Sequence, residues 1–576
     1  MMLRIIVLLL ALSWTARCAN LRLEENQGCI SSTCQRSSSP FARFSQRMKR
    51  STTSFNDPMY DQQWYLNDKE SATMNIKKAW EAGYNGQGVV ISVIDVGLQK
   101  DHDEFKDRFD QRASYNFIAN KDDPTPDPGN VHGCKVGGVA AGQANNNQCG
   151  VGIAHAAKIG GITAFANGED DIHQPAALSH ANDYVDIYAC AWGPDGVLGN
   201  KVGYNLAPGT LENGTKYGRQ GKGNIYVFAA GNEGSPPFND SCTYDGYVTD
   251  VNTLAVTNIN FNGTPSMKSE RCPSILAAAY ARDGVQPITD KTHLMPTAVL
   301  ENKCTDIFSA TSAATGVASG IFALVLQANP NLSYRDIQHI VANTSQNSET
   351  IAKEGRWFSN GAGFKVSDRY GFGVLDAMAM INRAKNWKNV PRRISCEKEF
   401  TTTTVIPADA SQLSFDVDFT GQNCNIRHLE HVKLVVNLTY TPRKSLQLDL
   451  VSPANTLSHM LMGRNFDITF NDIIMFPTMT LHNWGESSVG RWQIKFSNNG
   501  PPPQNPGELR YYKLVLYGTD TLPIQPDIVK TTARPQSTTT RPQSTKKKGN
   551  SAVNKNSSLI LVSLFSLLAI LKSTFV

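Results

Sequence analysis

Four short segments far apart in the 576-residue chain carry the parts of a nucleophilic relay: Val93-Ile94-Asp95-Val96-Gly97, Val131-His132-Gly133-Cys134, Phe228-Ala229-Ala230-Gly231-Asn232 and Ala310-Thr311-Ser312-Ala313. A serine hydroxyl is a poor nucleophile at neutral pH until a base takes its proton, so Ser312 needs the imidazole of His132 within hydrogen-bond reach. Asp95 would hold the imidazole tautomer and stabilise the imidazolium that forms. Asn232, together with the backbone N–H of Ser312, would donate to a developing oxyanion. The chemistry such a set performs is covalent acyl transfer, with peptide-bond hydrolysis as its outcome. A lone Asp, His or Ser says nothing in a chain of this length; the order of four pieces does.

The elements around these residues read as two domains. From residue 51 to 389, short apolar runs such as 88–94 and 224–229 read as buried strands and alternate with helix-like stretches such as 313–328 and 333–343, the pattern of a parallel sheet covered by helices. Ser312 opens one of those helices, whose N-terminus favours negative charge. From 390 to 520 the pattern changes to period-two segments such as 434–440 and 446–451, an antiparallel β-sandwich or jelly roll.

The flanking segments indicate secretion. Residues 1–18 read as a signal peptide, and 19–50 as a short propeptide whose basic ending, Arg47-Met48-Lys49-Arg50, marks processing after Arg50. Residues 521–558 form a Thr/Pro/Ser-rich stalk, and 559–576 an apolar tail that is either a glycosylphosphatidylinositol signal or a membrane anchor. Ten cysteines remain after Cys18 and suit disulfides, and seven Asn-x-Ser/Thr triplets suit glycosylation. A net charge of +5, much of it in the tail, argues against a nucleic-acid surface.

Over residues 54–519 the chain resembles the furin and kexin-like proprotein convertases, serine proteases of subtilisin-like α/β fold followed by an all-β P domain. Supporting segments are Gln62-Gln63-Trp64-Tyr65-Leu66, Cys149-Gly150-Val151-Gly152, Ala191-Trp192-Gly193-Pro194, Asp245-Gly246-Tyr247 and Tyr370-Gly371-Phe372-Gly373. In the second domain they are Leu429-Glu430-His431-Val432, Val451-Ser452-Pro453 and Trp484-Gly485-Glu486. The resemblance implies a calcium-dependent monomer that cuts polypeptides after basic residues, with Asp95, His132 and Ser312 catalytic and Asn232 at the oxyanion. It implies disulfides Cys149–Cys304, Cys242–Cys272 and Cys396–Cys424, with Cys29 and Cys34 available to pair and Cys134 and Cys190 left as buried thiols. One calcium set would be Asp57, Glu104 and Asn146 with the backbone around Gln143, Gln148 and Gly150; another would be Asp195, Asp240 and Glu270. A third, Asn116, Asp123 and Thr125, offers weaker ligands. Asp195 and Asp245 would receive a basic P1 side chain.

The chain departs from this pattern in four places around the triad. Ala310 replaces a glycine, Gly316 a proline and Cys134 a threonine, and Val96 cannot hydrogen-bond through its side chain as a polar neighbour of Asp95 would. Val96 and Gly129 stand where acids would read a P2 lysine, and Gln174 and residues 201–204 where acids would line the P4 pocket, so paired-basic selectivity is relaxed. The 32-residue propeptide is too short for an independent inhibitory domain. The leading expectation is an active endopeptidase; the alternative is a weak or inactive homologue retained as a surface binding or regulatory protein.

Overall fold

The computed structural model describes residues 54–66, 73–166, 172–194, 209–284, 293–409, 411–468, 472–500 and 505–522. The expected signal peptide, the expected propeptide with Arg50, the expected stalk from residue 523 onward, the apolar segment 559–576, Asp195 and residues 201–204 lie outside them.

Seven strands form one sheet: β1 (Val90–Asp95), β2 (Tyr115–Asn116), β3 (Lys158–Thr163), β4 (Ile187–Cys190), β5 (Ile225–Ala229), β6 (Thr253–Ile259) and β7 (Ala277–Tyr280), in the order β2-β3-β1-β4-β5-β6-β7. Every neighbouring pair is parallel. Parallel strands need crossovers that cover both sheet faces, and β1, β4, β5, β6 and β7 are accordingly buried at every position. The strand order reverses at β1, and a crevice opens at the carboxyl edge beside such a reversal. Asp95 is the last residue of β1, Ala191 follows β4, and Asn232 lies three residues beyond β5.

Two helices bring the remaining groups to that edge. His132 begins the helix His132–Ala141 and Ser312 lies in the first turn of Ala310–Ala328. They pack closely: a Cβ on Gly316 would stand 3.0 Å from the Val136 carbonyl oxygen. The second helix is buried at sixteen consecutive positions, Thr311 to Leu326, so its apolar composition reflects a core location.

Residues 394–519 form two four-stranded antiparallel sheets around a separate core that includes Leu434, Leu448, Trp492 and Phe496. The sandwich is joined to the α/β domain by apolar and polar contacts. Met479, Leu481 and Trp484 enter the α/β core. Asn360 Nδ2 donates to the carbonyls of His482 and Trp484, both at 2.8 Å, and Ser274 Oγ donates to Met479 O at 2.7 Å. Glu430, fully buried, accepts from Arg335 Nε at 2.9 Å and meets His339 Nε2 at 2.7 Å. Disulfides join Cys149–Cys304, Cys242–Cys272 and Cys396–Cys424, while Cys134 and Cys190 are free and buried.

Candidate active site

The Asp95 carboxylate is 2 % exposed and each of its oxygens has a partner. Oδ1 accepts the backbone N–H of Val96 at 2.8 Å, and Oδ2 lies 2.8 Å from His132 Nδ1. The polar contact that the Val96 side chain cannot offer is thus made by its backbone. Close approach of strand end and helix start depends on Gly133, where a Cβ would fall 2.1 Å from the Gly97 carbonyl oxygen. Burial opposes the imidazolium, but the charge and hydrogen bond of Asp95 outweigh it, and His132 titrates above its ordinary 6.5. Phe308 packs edge-on against the ring, with centroids 5.9 Å apart.

Ser312 is 8 % exposed and its hydroxyl donates to the Ala191 carbonyl at 3.2 Å. No hydrogen bond joins it to His132 among the described residues, so the structure unites two members of the expected relay and holds the third on a neighbouring acceptor. Asn232 is oriented by a residue the sequence reading passed over. Its Oδ1 accepts from Thr311 N at 3.1 Å and Thr311 Oγ1 at 2.7 Å. A backbone N–H can only donate, so the carbonyl oxygen must face Thr311 and the Nδ2 hydrogens must point elsewhere. Thr311 directly precedes Ser312, which ties the amide to the nucleophile's own turn.

The departures around the triad have distinct consequences. Ala310 has φ +62°, the left-handed region in which a Cβ is strained. Ala310→Gly is expected to stabilise the protein by about 1 kcal/mol, read as a higher urea midpoint at unchanged slope. A lower midpoint would show that the methyl group's packing outweighs the strain. The helix runs unbroken across Gly316. Cys134 Sγ accepts the Gln99 N–H at 3.3 Å, and burial pushes its thiol up to about 12, so it is no competing nucleophile.

A cavity of about 220 Å³ beside these groups is lined by residues including Trp192, Gly193, Asn232, Asp245, Glu270 and Arg464. Asp245 is held by the N–H groups of Tyr247 at 2.7 Å and Val248 at 3.3 Å, both to Oδ1, and a Cβ on Gly193 would stand 2.7 Å from its Oδ2. Gln174 is buried and accepts the Tyr247 hydroxyl, so its carbonyl oxygen is already engaged.

The expected calcium ligands differ in how well they suit a cation. Asp57 accepts from the N–H groups of Asn145 and Asn146, and Glu104 Oε1 from Asn146 Nδ2 at 3.3 Å. Glu104 Oε2 and Gln143 Oε1 are buried without a partner among the described residues, and burial pushes the Glu104 carboxyl up to about 9. Orphaned hard oxygens beside a buried acid fit calcium. The Gln148 side-chain amide donates to Asn302 O at 2.6 Å, which does not bear on the backbone donors expected there. In the second set, burial raises the carboxyls of both Asp240 and Glu270, each further opposed by Glu233. A cation would relieve this, although Arg464 of the sandwich already reaches Asp240 Oδ1 at 3.4 Å. In the third set, Asp123 pairs with Lys100 at 3.2 Å and accepts Thr125 N at 3.0 Å, so its carboxylate already has partners. Among the described residues no three His, Cys, Asp or Glu side chains cluster as metal ligands.

A carboxylate-anchored imidazole, a helix-borne serine and an oriented amide, all gathered at the carboxyl edge of a parallel sheet, define a subtilisin-type serine protease framework. Comparison with known proteins agrees: the chain belongs to the subtilase family, whose profile matches residues 86–373, and residues 429–516 match the proprotein convertase P-domain. It is similar to Furin-like protease 1, isoform 1-CRR, of Drosophila melanogaster, at 37 % identity over 487 residues, 83 % of this chain and 42 % of that protein. Endoprotease bli-4 of Caenorhabditis elegans is 37 % identical over 81 % of this chain and 50 % of its own length. Human proprotein convertase subtilisin/kexin type 5 is 35 % identical over 82 % of this chain and 26 % of its own length. The chain therefore spans half or less of the length of these relatives. The crystal structure of the Aeromonas sobria serine protease shares the fold, with a TM-score of 0.70 at 21 % identity, covering 85 % of this chain and 100 % of that one.

Proposed function

We propose that the chain is a calcium-dependent serine endopeptidase of the proprotein convertase group, cutting secretory or surface polypeptides after arginine or lysine. The observation that carries this reading is the double anchoring of Asn232 Oδ1 by Thr311, which commits the amide to donating beside Ser312. In the reaction, the Ser312 hydroxyl leaves the Ala191 carbonyl, gives its proton to His132 Nε2 and attacks the scissile carbonyl carbon. Asn232 Nδ2 and the Ser312 N–H stabilise the oxyanion, a side-chain donor of this kind contributing about 3 kcal/mol. His132 then protonates the leaving amine, and water releases the acyl group by the same steps in reverse.

Asp245 in the cavity wall, with Asp195, supplies the negative charge for a P1 guanidinium or ammonium. Selectivity at P2 and P4 is relaxed, since Val96 is apolar and Gln174 is uncharged and engaged by Tyr247. Asp57, Glu104 and Asn146, with the backbone around Gln143, Gln148 and Gly150, would hold one calcium ion, and Asp240, Glu270 and Asp195 a second. Bound calcium supplies positive charge that keeps these buried acids ionised. The domain boundaries, a secretory route with processing after Arg50, membrane association through residues 559–576 and a monomeric state belong to the same proposal.

A second reading, a weak or inactive homologue acting as a surface binding protein, is favoured by the left-handed Ala310 and by the Ser312 hydroxyl resting on Ala191. A basic chloromethylketone or fluorophosphonate probe separates the two. The first reading expects covalent labelling of folded, calcium-loaded protein that disappears in Ser312→Ala. Absence of labelling in the folded parent rejects it and leaves the second.

A further inference from the structure

Outside the catalytic cleft, three arginines from separate segments, Arg271, Arg356 and Arg369, line one cavity of about 680 Å³. Glu270, Asp283 and Glu354 line the same cavity, yet none of them forms an ion pair with these guanidinium groups among the described residues. Arg271 meets Asp368 only at 4.0 Å. Arg356 forms no ion pair or hydrogen bond with any described side chain, and Arg369 Nε is buried without an acceptor.

Of the acidic residues in the same wall, Asp283 and Glu270 are engaged by other donors and Glu354 is not. Asp283 accepts from Ser266 Oγ at 3.0 Å, Met267 N at 3.2 Å and Asn260 Nδ2 at 3.4 Å. Glu270 receives the Glu233 N–H on the side toward Asn232. Glu354 is exposed and forms no ion pair with a described residue. Asp368, behind the wall, offsets Arg271 through Oδ2 at 4.0 Å, while its Oδ1 is buried without a partner among the described residues. Arg356 is presented from a backbone with φ +49°, a conformation that costs free energy in a non-glycine residue and persists only where surrounding structure enforces it.

We propose that this cavity binds a sulfate or phosphate group carried by a larger ligand. Each guanidinium offers a planar fork of N–H donors matched to such oxyanions, and three forks suit a doubly charged tetrahedral group better than a single carboxylate. The volume lies within the range of ligand pockets and leaves room for a sugar ring or similar carrier beside the anion. The site is independent of the proteolytic reading, because it requires neither Ser312 nor a bound substrate.

The test is titration calorimetry of the full chain, secreted from animal cells so that any glycan on Asn239 at the cavity wall is present. The probes are a heparin-derived sulfated tetrasaccharide, inorganic sulfate and pyrophosphate. Arg271→Gln/Arg356→Gln/Arg369→Gln is expected to weaken tetrasaccharide binding at least about 10-fold and Arg356→Gln alone about 3-fold, with affinity falling as salt rises. Arg491→Gln, at an exposed sandwich position, should leave it unchanged. Equal binding of the inorganic anions, lost in the same variants, would also support the site and identify a free anion as its ligand. If no probe binds, or if Arg356→Gln and the triple variant bind as the parent does, the proposal is wrong. Should the triple variant fail to fold, the exposed, unpaired Arg356 decides alone.

Discussion

Asp95→Asn is expected to lower kcat/KM on a peptide with basic P1 by about four orders of magnitude. The local hydrogen bonds say why the loss should be so large for an isosteric change. Oδ1 of Asp95 accepts the Val96 N–H while Oδ2 faces His132 Nδ1. An asparagine would keep its one carbonyl oxygen on the Val96 N–H and thereby turn its NH₂ toward His132. The imidazole would then have to accept at Nδ1 and carry its proton on Nε2, the atom that must take the proton of Ser312. The pH profile gives a second readout. Asp95 raises the His132 pKa above 6.5 against burial, so the ascending limb of kcat/KM should lie above 6.5 in the parent. With the carboxylate gone, burial dominates and the residual limb should move to lower pH. Activity within tenfold of the parent, or an unmoved limb, would remove Asp95 from the relay.

Residue order in the sequence pointed to the sheet edge, because the chain punctuates it clearly: apolar runs end at Asp95 and just before Asn232, and a long apolar helix begins around Ser312. The resemblance anticipated the three disulfide pairs, and period-two segments marked the sandwich. Periodicity could not reveal orientation. Thr311 as the group that fixes Asn232 had only its position beside Ser312 to suggest it, and the rest of Ser312 on Ala191 had no sequence signal at all. Contacts between domains were equally silent. Arg464 reaches Asp240 across 224 residues, and the arginine cavity joins segments near 271, 356 and 369 that carry no shared motif. Ala310 is the intermediate case: a methyl where glycine is expected raised the question of strain, and its φ of +62° answered it.

Glu430→Ala is expected to cost about 3–5 kcal/mol of stability, because it leaves the buried Arg335 guanidinium without its counter-charge. Such a loss would appear as a lower denaturant midpoint and as P-domain undocking, since Glu430 joins the sandwich to the helix Tyr334–Thr344. Replacing both partners, Glu430→Leu with Arg335→Leu, should recover part of the loss by removing the stranded charge as well. The pH dependence separates this group from its neighbours. Burial would raise the Glu430 carboxyl, but His339 and Arg335 hold it well below its ordinary value. Its contribution is therefore whole above about pH 4.5 and is lost as the pH falls further. Two interface histidines act earlier. Burial lowers His431 to about 3 and His482 to about 4, for His482 against backbone hydrogen bonding at Leu457 and Ser367. Below 6.5 the unfolded chain binds protons that these folded rings refuse, so stability declines from about pH 6.5 toward 4 before Glu430 responds. Thermal melts across that range should show the histidine-led decline in both parent and Glu430→Gln, with the further loss below about 4.5 reduced in the variant. An equally steep fall below 4.5 in both proteins would mean that Glu430 does not govern the acid limb.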